Sequence, residues 1–164
     1  ESPQFARGFY GNVTSWGVGT PVTLTLRLVL EKDCAIQAPD LAFGRAPLVS
    51  AFRPVSQSLW VNCSAGEPYS VGLSEGSQPD GSSRRMRSAA GNYLRYQLYK
   101  GNSGSERWGH LGQERRTSYS AERNAGRYDG KTQQSFSYRG VIDPDQATPP
   151  AASYTDHIVV DVAF

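Results

Sequence analysis

The sequence has little methionine, cysteine or histidine: one, two and two in 164 residues. A pair of cysteines cannot supply a four-ligand zinc site, and adding His110 and His157 would need unusual spacings. Cys34 and Cys63 are nowhere near the C-x-x-C spacing of a redox motif. No stretch approaches the roughly 18 uninterrupted apolar residues of a transmembrane helix. Neither sign of charge dominates. Seventeen basic residues against fifteen acidic ones leave a net charge of +2, far from the profile of a dedicated nucleic-acid binder. No G-x-S-x-G elbow places a nucleophile, and no G-x-G-x-x-G follows a strand to open a helix. Carboxylates are scattered over loops instead of paired. His157, beside Asp156, reads as a surface or edge histidine, and His110 in WGHLG as a loop residue. These absences predict no catalytic residue, no metal and no cofactor.

What is present favours strands. The chain is 38% apolar and 20% charged, with seventeen glycines and nine tyrosines, a composition that suits one folded, β-rich, exported domain. For the two cysteines a structural disulfide is the better reading, with two buried free thiols as the alternative. Closing a loop of this size contributes about 3–4 kcal/mol by chain-entropy arithmetic, and a disulfide implies an oxidising compartment such as a periplasm or the cell exterior.

The most regular segment is PVTLTLRLVLEKDC, from Pro21 to Cys34. Val22, Leu24, Leu26, Leu28 and Leu30 occupy every second position, which predicts a strand with one buried face. At ~1.5–3 kcal/mol each, burying these five side chains is worth roughly 7–15 kcal/mol gross, an upper bound before ordering costs. Further alternation appears in SLWVNC, in PYSVGL and in YLRYQLY, where Leu94, Tyr96 and Leu98 share a face. In the terminal HIVVDVAF, Ile158, Val160, Val162 and Phe164 share another. Turn-forming stretches separate these runs at 76–83, 100–105 and 143–150. Residues 111–127 have helix formers but no core face and read as a surface loop with room for one helical turn. The pattern predicts an all-β sandwich.

Charge is uneven along the chain. Residues 84–131 hold eleven basic and four acidic side chains. That reads as a solvated face of loops, with a patch for an acidic partner such as polysaccharide or nucleic acid as the sharper alternative.

Taken in order, the motifs resemble the spore coat protein U domain family, which includes subunits of archaic chaperone–usher pili. The resemblance runs from Val22 to Phe164: the alternating strand ending in Cys34-Ala-Ile36, then LAFG (41–44), LWVNC (59–63) and PYSVGL (68–73). Arg84 and Met86, YLRYQLY (93–99), WG (108–109), YRGVI (138–142), SYTD (153–156) and IVVDVAF follow. Each motif alone is weak; the ordered set with both cysteines is strong. The resemblance implies an incomplete immunoglobulin-like sandwich, completed by a donor strand from another molecule, with Cys34 and Cys63 as the family disulfide. It assigns Val22, Leu24, Leu26, Leu28 and Leu30 to the donor strand, within residues 21–33. Ile158, Val160, Val162 and Phe164 fall on the strand bordering the acceptor groove of a domain at 34–164. Residues 1–20 read as an N-terminal extension or linker.

The implied function is that of a structural pilus subunit assembled by donor-strand exchange and supporting surface adhesion and biofilm formation. Its implied partners are neighbouring subunits, a periplasmic chaperone and an outer-membrane usher, and its location is the periplasm and then the cell surface. The alternative is a tip-adhesin domain or coat protein that binds a surface or glycan, with Trp16, Trp108 and Tyr119 as candidate contacts.

Overall fold

The structure, a computed structural model, describes residues 25–29 and 31–164. The chain divides into two compact units, Glu1–Glu31 and Lys32–Phe164. In the first unit, residues 25–29 belong to no strand, and Leu26 and Leu28 are 86% and 83% exposed. The expected strand with a buried face is therefore not formed by these residues. The alternation provides an apolar face, but alternation alone does not make a strand, which also needs an edge to pair with. Val22, Leu24 and Leu30 lie outside the described residues.

The second unit is all-β. Its strands are β1 (Cys34–Gln37), β2 (Val55–Cys63), β3 (Ser70–Leu73), β4 (Arg84–Ser88) and β5 (Tyr93–Lys100), followed by β6 (Arg116–Thr117), β7 (Gln134–Ile142), β8 (Tyr154–Thr155) and β9 (Val160–Ala163). They form a six-stranded sheet in the order β1-β2-β7-β5-β4-β8 and a three-stranded sheet in the order β6-β3-β9. Every pairing is antiparallel. The period-two pattern accounts for the inner face of the large sheet: Leu94, Tyr96 and Leu98 are buried on β5, Leu59 and Val61 on β2, and Phe136 and Tyr138 on β7. Cys34 lies opposite Cys63 in the β1–β2 register, and the two are joined by a disulfide.

Two expectations change at the interior. Trp108, a candidate surface contact, is fully buried. Its ring centroid lies 6.2 Å from that of Phe136 and 5.8 Å from that of Tyr138. Its indole N–H donates to the Val71 carbonyl at 3.0 Å, so the polar edge is satisfied while the ring fills the space between the sheets. The basic stretch is not simply a solvated face either, because Arg84 and Arg116 are buried. Arg84 donates to the carbonyls of Ser74 (2.8 Å), Leu73 (2.9 Å) and Trp108 (2.7 Å), and to Gln97 Oε1 at 2.7 Å. Burial pushes its guanidinium below the ordinary arginine value, and the nearby charge of Glu75 opposes that.

Arg116 sits over the Trp108 and Phe136 rings at 5.4 and 5.2 Å. It donates to the Ser137 carbonyl at 2.8 Å and pairs with Glu122 at 3.0 Å. These contacts draw residues 111–127 inward. The segment makes short 3-10 turns at Gly112–Glu114 and Ser118–Ser120 around β6, instead of lying wholly on the surface.

Replacing Arg84 by Met leaves several buried acceptors unpaired, at about 1–3 kcal/mol per group. The expected loss of stability is about 3 kcal/mol or more, read as a lower urea midpoint at unchanged slope. Glu122 offers a pH test. Burial alone would raise its carboxyl, but hydrogen bonds from the Ser137 hydroxyl and backbone N–H and the charge of Arg116 outweigh it and hold the group below the usual carboxylate range. A depressed folded value gives stability that is present above the unfolded value and lost as pH falls through the folded one. Glu122→Gln should therefore be less stable than the parent at pH 7, and the gap should close in acid; urea midpoints across that range check it.

Candidate functional site

Six strands on one side and three on the other leave part of the larger sheet's inner face not covered by the smaller sheet. The result is an apolar groove of about 940 Å3 within the second unit. Leu59, Met86, Leu94, Leu98, Tyr138 and Ile142 form its floor, while Leu73, Ile158 and Val160 line it from the side of the smaller sheet. β9 runs beside it. That strand pairs with β3 along one edge only, and among the described residues its other edge has no strand partner. An unpaired edge leaves backbone hydrogen-bonding groups unmet, and beside it Ile158 and Val160 are only half-buried, which makes the edge a template for adding a strand.

The groove is partly occupied by its own chain. Residues 38–45 lie along it, with Leu41 and Phe43 seated over Gly140. A Cβ at Gly140 would fall 2.5 Å from Leu41 Cδ2 and 2.6 Å from Phe43 Cζ. Phe43 packs edge-on against Tyr96 at 6.0 Å. Part of the lining is polar. The Tyr96 hydroxyl donates to Asp156 at 2.6 Å, and the backbone N–H groups of Ser77 and His157 donate to the same carboxylate at 2.8 Å each. Burial, then the bond to Asp156, pushes the Tyr96 hydroxyl well above the ordinary tyrosine value.

The site residues expected from the sequence separate into groups. Ile158 and Val160 line the groove. Val162 packs against the core without lining the groove, and Phe164 follows the end of β9, half exposed, with Lys32 Nζ 5.6 Å from its ring. The last strand is thus shorter than the alternation in HIVVDVAF predicted. Tyr119 is 60% exposed; Trp16 lies outside the described residues. Sequence reasoning missed Gly140 and the Tyr96–Asp156 bond. LAFG was visible as a motif, but nothing local shows that its two apolar side chains need a glycine opposite.

His110 Nδ1 lies 3.2 Å from Glu75, and Arg107 pairs with both Glu75 and Glu114. Among the described residues, no group of three or more His, Cys, Asp or Glu is placed to hold a metal ion, and no helix is long and apolar enough to cross a membrane.

A family model described as the Spore Coat Protein U domain matches residues 20–161. No curated protein matches. Among solved structures, a chain 34% identical is found in the crystal structure of the CsuC–CsuE chaperone–tip adhesion subunit pre-assembly complex from archaic chaperone–usher Csu pili of Acinetobacter baumannii. The match covers 81% of this chain and 40% of that one, with a TM-score of 0.63. This chain therefore aligns with about two fifths of that chain's length.

The groove geometry carries its own test. Gly140→Val should lift residues 38–45 from the floor, giving faster amide exchange there with protection on β2 and β5 retained. Unchanged exchange in residues 38–45 would mean that Leu41 and Phe43 are not seated on the glycine.

Proposed function

The chain belongs to the Spore Coat Protein U domain family, and from that premise we propose that it is a structural subunit of an archaic chaperone–usher pilus, polymerising by donor-strand exchange. The single observation that carries this reading is the apolar groove beside the unpaired edge of β9. A segment with aliphatic side chains at alternate positions, Val22 to Leu30, is the donor. Where that segment is described it is unpaired, with Leu26 and Leu28 exposed.

The chemistry is β-augmentation. Main-chain hydrogen bonds to β9 supply affinity, and alternate side chains entering the groove supply register. Because donor and acceptor are different surfaces, the contact is head-to-tail and propagates as an open fibre instead of closing a pair. Until the groove is filled, its apolar floor and free edge are an aggregation hazard, which a periplasmic chaperone covers before an outer-membrane usher receives the subunit. The output of the fibre is attachment to surfaces and biofilm formation. No residue has a catalytic role in this reading.

A second reading, a domain of the tip subunit, is favoured by the description of the similar solved chain as part of a chaperone–tip adhesion subunit complex. The two differ in position: a shaft subunit recurs along the fibre, a tip subunit occurs once at its end.

A non-reducing SDS gel run with and without boiling tests the reading. A ladder of heat-dissociable oligomers is expected, and Leu26→Asp or Leu28→Asp should abolish it while leaving the monomer's thermal midpoint unchanged. A ladder that persists in both variants assigns the donor strand elsewhere. Immunogold labelling confined to fibre ends would favour the tip subunit.

A further inference from the structure

The residues that alternate with the groove floor form the opposite face of the six-stranded sheet. Arg85 and Arg87 on β4, Tyr93, Arg95 and Tyr99 on β5, and Arg139 on β7 all project there, because Met86, Leu94, Leu98 and Tyr138 beside them point inward. The register sets Arg85 opposite Arg95, Arg87 opposite Tyr93, and Arg139 opposite Tyr99. Two guanidiniums lie over tyrosine rings: Arg85 is 4.3 Å from the Tyr93 centroid and Arg139 is 5.4 Å from that of Tyr99.

Like charges directly opposite one another destabilise a sheet, and this one compensates only in part. Asp80 approaches Arg85 at 3.4 Å and Asp143 approaches Arg95 at 3.0 Å. Arg87 is exposed, and Arg139 donates from Nε to the Gly104 carbonyl at 2.9 Å. Neither has a carboxylate within ion-pair distance among the described residues.

We infer that this outer face binds a carboxylated polysaccharide, independently of the groove. A guanidinium held over a ring loses little further freedom on binding, and its planar fork matches a carboxylate through two parallel hydrogen bonds. The charges are spread, with paired strands about 5 Å apart and residues 95 and 99 about 13 Å apart along β5. A chain carrying one carboxylate per sugar spans that spread, whereas a single small anion does not. Two Asp against four Arg leave a modest surplus, too dilute for the dense phosphate neutralisation that nucleic-acid binding rests on.

The test is binding of the purified full chain to alginate, with neutral dextran and single-stranded DNA as comparison probes. Alginate binding that weakens with salt and is absent for dextran is expected. Arg87→Glu with Arg139→Glu should weaken it about tenfold or more, and Arg87→Lys with Arg139→Lys about threefold, because charge is kept but the fork is lost. Lys131→Glu, an exposed charge outside this face, should leave it within about twofold. The Glu and Lys pairs both lose the Arg139 bond to Gly104, so their thermal midpoints should match each other, and the heat-dissociable ladder should match the parent; a failure here stays separate from a failure of the assembly reading. The inference is overturned by three results: no alginate binding, an equal effect of Lys131→Glu, or DNA bound as tightly with the same sensitivity. Loss of the ladder in the Arg87 and Arg139 variants would assign the face to a subunit contact and overturn it as well.

Discussion

Arg84 takes a full positive charge into the interior at a point where no carboxylate among the described residues forms an ion pair with it, and four neutral oxygens hold it there. The rest of the sandwich leans on that arrangement. Two sheets normally keep their separation by interdigitating side chains across the whole interface, and here an open groove removes part of that interface. The spacing is set instead by hydrogen-bonded struts. Arg84 on the large sheet reaches the carbonyls following and ending β3, Trp108 reaches Val71, and Arg116 on the small sheet reaches the Ser137 carbonyl. Arg115 adds a tie within the small sheet, bonding the Ser70 carbonyl and pairing with Asp161 at 2.7 Å. Directional bonds of this kind fix a distance without filling a volume, which suits a sandwich whose two sheets face each other over only part of their area.

The parts of this architecture visible in the sequence are those with a local signature. Alternation in YLRYQLY placed Leu94, Tyr96 and Leu98 on one buried face, and the two cysteines read correctly as a disulfide. Arg84 and Arg116 were not legible as interior residues, because a charged side chain is exposed by default and nothing adjacent in sequence announces its acceptors. Trp108 was misplaced for a similar reason. A lone aromatic among glycines and charges carries no periodicity, and only its distance from Phe136 and Tyr138 in the folded chain reveals where it goes.

The groove illustrates the same limit from the other side. Its apolar floor is readable strand by strand, but its existence depends on a difference in strand number between two sheets, which is a property of non-local pairing. Gly140 shows how fine that dependence is: the absence of one methyl group on β7 lets two side chains from a segment about a hundred residues earlier settle onto the sheet. Family membership carried this part of the reading further than composition or periodicity could.

The Cys34–Cys63 bond has a mechanical meaning as well as a thermodynamic one. Cys34 is the first residue of β1, the outermost strand of the large sheet, and its partner closes β2 one strand further in. Just upstream, Asp33 and Ser64 exchange hydrogen bonds of 2.9 Å in both directions. A pull on the chain from its N-terminal side would, with hydrogen bonds alone, peel β1 off one bond at a time, the weakest way to load a sheet edge. With the disulfide at that first residue, the load crosses a covalent link into a strand flanked on both sides and is shared as shear along β2 and β7. The edge strand that receives the force is thereby relieved of carrying it.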